Sequence, residues 1–133
     1  MNNIYVSVCM VIVSTLSGCA INGTNISQNG TVTIERIDSE TLFMPWADAY
    51  EEGNNLMIRG VIEQRYQSSN SLKAHVDVTI IDSNGQLLKE TKTANVYVPR
   101  NLPGKGIKWV RFNLTVPMMV SKGTTIKLHP GAT

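Results

Sequence analysis

Ala74-His75-Val76-Asp77-Val78-Thr79-Ile80 alternates between apolar and polar residues without a break. Successive side chains of an extended chain point to opposite faces, so Val76, Val78 and Ile80 share one side while His75, Asp77 and Thr79 share the other. Period-two patterning of this kind specifies a half-buried strand of an antiparallel sheet. Just beyond it, Asp82-Ser83-Asn84-Gly85 supplies hairpin chemistry, because Asn-Gly accepts the positive φ that a tight turn requires. Farther along, residues 107–116 repeat the alternation. Val110, Phe112, Leu114 and Val116 point one way, and Trp109, Arg111, Asn113 and Thr115 the other.

The same criteria predict strands over residues 32–37, 56–66, 86–98 and 124–129. Pro103-Gly104 marks an exposed loop over 99–106, and Ser121-Lys122-Gly123 marks a turn. Residues 39–52 do not fit. There, Pro45-Trp46-Ala47-Asp48-Ala49-Tyr50-Glu51-Glu52 reads either as one or two helical turns, with proline harmless near the start, or as a long connection. Six or so short strands separated by turns predict an all-β domain over 31–133, an immunoglobulin-like antiparallel β-sandwich, with a small barrel as the alternative. The chain has no internal repeat.

Upstream of this domain the composition changes. Residues 4–16 are almost all apolar or small, and no charged side chain precedes Glu35. Such a run is shorter than the roughly 20 residues a spanning helix needs, and it has the length of the apolar core of a secretory signal. Leu16-Ser17-Gly18-Cys19 follows directly. It resembles the lipobox of bacterial lipoproteins, although Met1-Asn2-Asn3 lacks the Lys or Arg usual at the start of such signals. The resemblance implies a leader over 1–18, cleavage before Cys19, and lipid on that cysteine, which would hold the protein at a membrane. Ala20 rather than Asp after the cysteine implies transfer to the outer membrane, facing the periplasm. Residues 19–30 then read as the lipidated cysteine and a flexible tether, since the Asn, Gly, Ser and Thr of 21–30 bury too little apolar area to offset their ordering entropy. The sequons at Asn22, Asn25 and Asn29 are read as linker composition.

The charge balance excludes one partner class. Twelve basic and ten acidic residues leave a net charge of +2, with no basic block, so nucleic acid is not an expected partner. The two cysteines are Cys9 and Cys19. If the leader is removed and Cys19 lipidated, the mature domain has no thiol for redox chemistry, nucleophilic attack or a zinc–thiolate site.

The residues offer three kinds of candidate site. His75 and Asp77 stand at i, i+2 on one strand face, and His129 occupies a polar-facing position near the end of the last predicted strand. Two imidazoles and a carboxylate can share copper or zinc if strand order brings them together, and Met118-Met119 adds thioethers that suit Cu(I). Against this, exposed histidines beside an acid are ordinary surface residues. The second candidate is the segment around Arg100, Lys105 and Trp109, where cations and an aromatic ring offer a grip on an anionic sugar or phosphate group, the expected partner being an envelope protein or glycan. A solvated hairpin loop is the plainer account. The third is an enzyme site, but no Gly-x-Ser-x-Gly, phosphate-binding loop or facing carboxylate pair is present.

His75-Val-Asp-Val, the Asn-Gly turn, Tyr97-Val-Pro99-Arg100 and the terminal His129 together resemble a group of small proteobacterial extracytoplasmic proteins of unassigned function. That resemblance implies a β-sandwich with a ligand or partner surface. The expectation is therefore a lipid-anchored periplasmic binding or envelope-assembly module without catalytic activity or bound cofactor. The rival is a metal-handling lipoprotein using His75, Asp77 and His129.

Overall fold

The structure, a computed structural model, describes residues 23–133 except Lys105. The expected leader over 1–18, Cys19 and residues 20–22 lie outside the described residues. Ten strands follow in order: β1 (Thr24–Asn25), β2 (Val32–Arg36), β3 (Leu42–Phe43), β4 (Ala47–Glu52), β5 (Asn55–Gln64), β6 (Leu72–Ile81), β7 (Leu87–Lys92), β8 (Val96–Val98), β9 (Trp109–Val116) and β10 (Thr124–Ala132). They form two sheets packed as a sandwich of immunoglobulin-like kind.

In the first sheet β5 is central. β9 pairs along one edge of it, β3 and then β4 along the other, and β1 adds outside β4. In the second sheet the order is β2, β10, β6, with β7 and β8 in succession along the far edge of β6. All ladders are antiparallel except β2 with β10, which run parallel, so the expected all-antiparallel sandwich is corrected at that pair.

The inner faces carry the apolar half of each alternation. Ile58 and Ile62 from the first sheet meet Val76, Ile80, Ile126 and Leu128 from the second, and each is 0 % exposed. Full burial of an aliphatic side chain contributes about 1.5–3 kcal/mol, so these layers dominate the stabilisation. Among the described residues every buried side-chain nitrogen or oxygen has a hydrogen-bond partner.

Three further expectations are corrected. Residues 39–52 carry β3 and β4 rather than a helix or an open connection. β3 and β4 are one strand interrupted by a bulge, in which Met44, Pro45 and Trp46 face only Val61 and Ile62 of β5. Pro45 has no N–H to give a ladder, and a bulge tolerates that loss. Arg36 stitches the bulge by donating from one guanidinium nitrogen to the carbonyls of Met44 (2.9 Å) and Pro45 (2.6 Å).

The single strand predicted over 86–98 is also two, β7 and β8, separated by a bulge at residues 93–95. Thr93 occupies the break. Its hydroxyl accepts the Val76 N–H (3.0 Å) and donates to the Ala94 carbonyl (3.0 Å), replacing a missing ladder bond.

Finally, the tether expected over 19–30 is folded from Gly23 onward. β1 pairs with β4, and Ile26 is 2 % exposed, with its N–H on the Ala49 carbonyl. The polar residues here build a turn: Asn25 Oδ1 accepts from Ser27 N, Ser27 Oγ and Gln28 N. Composition alone reads as linker, but one buried isoleucine and an Asx turn anchor the segment.

Candidate binding face

The polar half of each alternation forms the outer surface of the first sheet. Pairing registers set its rows. Trp46, Val61 and Arg111 stand side by side across β5, the Trp46 position being fixed by the Val61 N–H on its carbonyl (3.2 Å). The next row is Phe43, Glu63 and Trp109, and on the other side lies Asp48, Arg59 and Asn113. Both tryptophans of the chain therefore flank β5 on one face.

Burial shows what this packing does. Val61 points outward yet is only 6 % exposed, whereas Trp46 and Trp109 remain 39 % and 40 % exposed. Cross-strand neighbours lie within side-chain reach, so the flanking rows seal Val61 and leave two rings available at the surface. The Arg111 guanidinium sits 5.5 Å from the Trp109 ring centroid. On the next row Arg59 lies 4.3 Å from the Tyr50 centroid, donates from Nε to Asp48 Oδ1 (3.1 Å) and hydrogen-bonds the Tyr50 hydroxyl. Partial burial would lower the Arg59 pKa, but the hydrogen bond and charge of Asp48, with Tyr50, outweigh it and raise the pKa above its ordinary value.

The face continues into a groove of about 590 Å³ where β2 and β4 do not pair. Ile34 and Ala47 contribute apolar lining, and Arg36, Asp48 and Trp46 add polar and aromatic groups. Trp46 thus belongs to both features.

Of the sequence-derived partner residues, Trp109 opens β9 on this face. Arg100 is exposed on the loop that crosses from β8 in one sheet to β9 in the other, and Lys105 lies outside the described residues. The cation against Trp109 is Arg111, not Arg100. The loop is pinned beside β5. Gln64, 6 % exposed, donates from Nε2 to the carbonyls of Asn70 (2.9 Å) and Pro99 (3.0 Å), and Asn101 bridges to Ser68. Trp46, Asp48 and Arg59 were missed because Trp46 and Asp48 fell in the stretch read as irregular. Their i, i+2 spacing with Tyr50 was the available signal.

The metal candidates gather on the outer face of the second sheet. His129 stands directly opposite Asp77, and His75 opposite Gly131. Topology makes the three neighbours, but the geometry pairs His75 with Asp77 and with the end of the chain. His75 Nε2 is 3.3 Å from Asp77 Oδ1, and Nδ1 shares a 2.9 Å hydrogen bond with Thr133 Oγ1. Lys92 flanks Asp77 on the other side. Among the described residues no group of three His, Cys, Asp or Glu side chains is arranged to hold a metal ion. Of the two proposed thioethers, Met118 packs against the core and Met119 is exposed.

Thr133, His75 and Asp77 also line up as hydroxyl, imidazole and carboxylate. The Thr133 hydroxyl, however, donates to Asn95 Oδ1 (3.2 Å), so its proton is not directed at the imidazole as a nucleophile–base pair requires. The chain acts here as a latch for the end of β10.

No known protein family and no curated protein matches this chain. Among solved structures, the crystal structure of Campylobacter jejuni cj0090 is similar, with a TM-score of 0.43 at 11 % identity over 77 % of this chain and 99 % of that one.

Proposed function

We propose that this protein is a lipid-anchored, non-catalytic binding module of the bacterial envelope. Lipid on Cys19 holds it at the outer membrane, facing the periplasm, and the outer face of the first sheet receives an envelope protein or glycan. The observation that supports a binding role is the placement of both tryptophans around a sealed Val61, beside the cation of Arg111. Exposed aromatic rings cost solvation on a free surface, and together with arginine they are the side chains most enriched where surfaces bind.

Two variants of the full-length protein test the two halves of this reading. Cys19→Ala is expected to abolish fatty-acid labelling and release the protein from the membrane pellet. Trp109→Ala combined with Arg111→Glu is expected to keep the lipid but lose retention on isolated envelopes, while His75→Ala retains it. Continued retention of the double variant would remove the face from the proposal, and unchanged labelling of Cys19→Ala would remove the anchor.

A further inference from the structure

We infer that the occupant of this face is an uncharged saccharide chain, stacked on Trp46 and Trp109 and hydrogen-bonded between them. This rests on the binding-module reading and names its ligand. Three features of the face carry it.

The first is the spacing of the rings. Trp46 and Trp109 lie two strands apart and two residues along, which places their backbones about 12 Å from each other. Two flat, separated rings suit an elongated ligand built of repeated flat units. The C–H edges of a pyranose ring carry slight positive charge and meet the negative face of an indole favourably.

The second is what lies between the rings. A protein-binding hot spot concentrates apolar side chains at its centre and polar ones at its rim. Here the apolar central residue, Val61, is sealed, and its neighbour on β5 is Glu63, with Arg111 across from Val61. A carboxylate acceptor on the strand between the two rings and a guanidinium donor beside Trp109 match the adjacent hydroxyls of a sugar, each of which donates and accepts.

The third is charge. Asp48 and Glu63 offset Arg59 and Arg111 on the three rows, and Arg36 in the groove is engaged with the Met44 and Pro45 carbonyls, so the face offers little net attraction to a polyanion. That disfavours acidic polymers and leaves neutral sugars. The groove beyond Trp46 gives such a chain room to continue past the sheet edge.

The sequence contains no other tryptophan, so indole emission reports this face alone. The test titrates full-length lipidated protein in detergent micelles with neutral hexasaccharides of β-linked glucose, β-linked N-acetylglucosamine and mannose, and with an acidic hexagalacturonate. The expected result is a saturable blue shift with at least one neutral hexasaccharide and none with the acidic one. By calorimetry, Trp46→Ala and Trp109→Ala are each expected to weaken that binding about tenfold, with Trp→Tyr variants recovering part of it and His75→Ala binding as the parent does. Binding only of the acidic probe overturns the neutral assignment. If no sugar shifts the emission but glycan-free envelope protein does, the saccharide inference falls while the binding face stands. If neither shifts it, both fall.

Discussion

Phe112 on β9 packs its ring onto Gly60, its register partner on β5, so closely that a Cβ at residue 60 would lie 2.8 Å from Phe112 Cε1. The same atom would meet the Trp46 carbonyl at 2.7 Å. Gly60 therefore joins the inner packing to the outer face: its missing side chain lets the core ring and the backbone of the tryptophan row approach together.

Gly60→Ala is expected to lower stability by about 1–3 kcal/mol, because both close neighbours are a packed ring and a backbone atom that cannot swing away. Urea denaturation checks this through the midpoint, with an unchanged slope. A shift in tryptophan emission of the native variant should accompany it, since the Trp46 backbone must move. A fully stable Gly60→Ala protein would show that the β3–β4 bulge is looser than described.

Thr93→Val keeps the shape of the side chain but removes the hydroxyl that accepts the buried Val76 N–H. An unpartnered buried donor costs about 1–3 kcal/mol. The expected outcome is a loss of that size, with faster amide exchange at Val76 than at residues deep in β6. Equal exchange rates at Val76 in the two proteins would contradict the role assigned to Thr93.

Gln64→Leu strips two carbonyls, those of Asn70 and Pro99, of their donor. Their partial access to water should limit the loss to about 1–3 kcal/mol in total. The more telling readout is local: amide exchange at Ser68 and Asn101, whose bridge depends on this pinning, should accelerate. Unchanged protection there would show that the bridge holds the loop alone.

Arg59→Gln breaks the ion pair with Asp48, yet the guanidinium is half exposed, with 51 % side-chain accessibility. Solvent screening limits such a pair to about 0–1 kcal/mol, so the melting temperature should barely move. The pH dependence follows from the raised Arg59 pKa. A cation with a raised folded-state pKa contributes its stability below its unfolded pKa and loses it only as pH rises through the folded value. That window lies at the extreme alkaline end, so the difference between parent and Arg59→Gln should stay constant from neutral to mildly alkaline pH, where the Asp48 carboxylate is ionised. A difference that collapses within that range would assign the effect to another group.

Copper(II) or zinc(II) titration followed by NMR of the two imidazoles is expected to show no joint shift of His75 and His129 at one ion per chain. His75 has both ring nitrogens engaged, with Asp77 and Thr133. A shared one-to-one shift would put the metal reading ahead of the binding-module reading.

The alternation of Ala74 to Ile80 and of Val110 to Val116 was enough to assign the inner and outer faces of β6 and β9, because strand periodicity is a local geometric property. Residues 107–116 also put Trp109 and Arg111 on one outer face before any pairing was known. Three features were not legible. The β3–β4 strand is broken by Pro45 and by a bulge whose ladder partner, β5, lies farther along the chain. The turn after β1 is polar, and only the burial of Ile26 separates it from a linker. His75, Asp77 and His129 read as polar-facing positions, but whether they are neighbours, and that His75 is held by Thr133 just past the end of β10, depends on strand order.

By itself, then, the sequence determined the strand class, the inward and outward residues of the longest strands, and a signal-like N-terminal pattern ending at Cys19. Each of these is written in neighbouring residues. Tertiary structure alone decided that Trp46 and Trp109 share a face, that Thr93 and Gln64 close the breaks in the ladders, and that His75 is bound up with Asp77 and Thr133. These depend on strand order and register, which are set by how two whole sheets bury their apolar faces against each other rather than by any local stretch of chain.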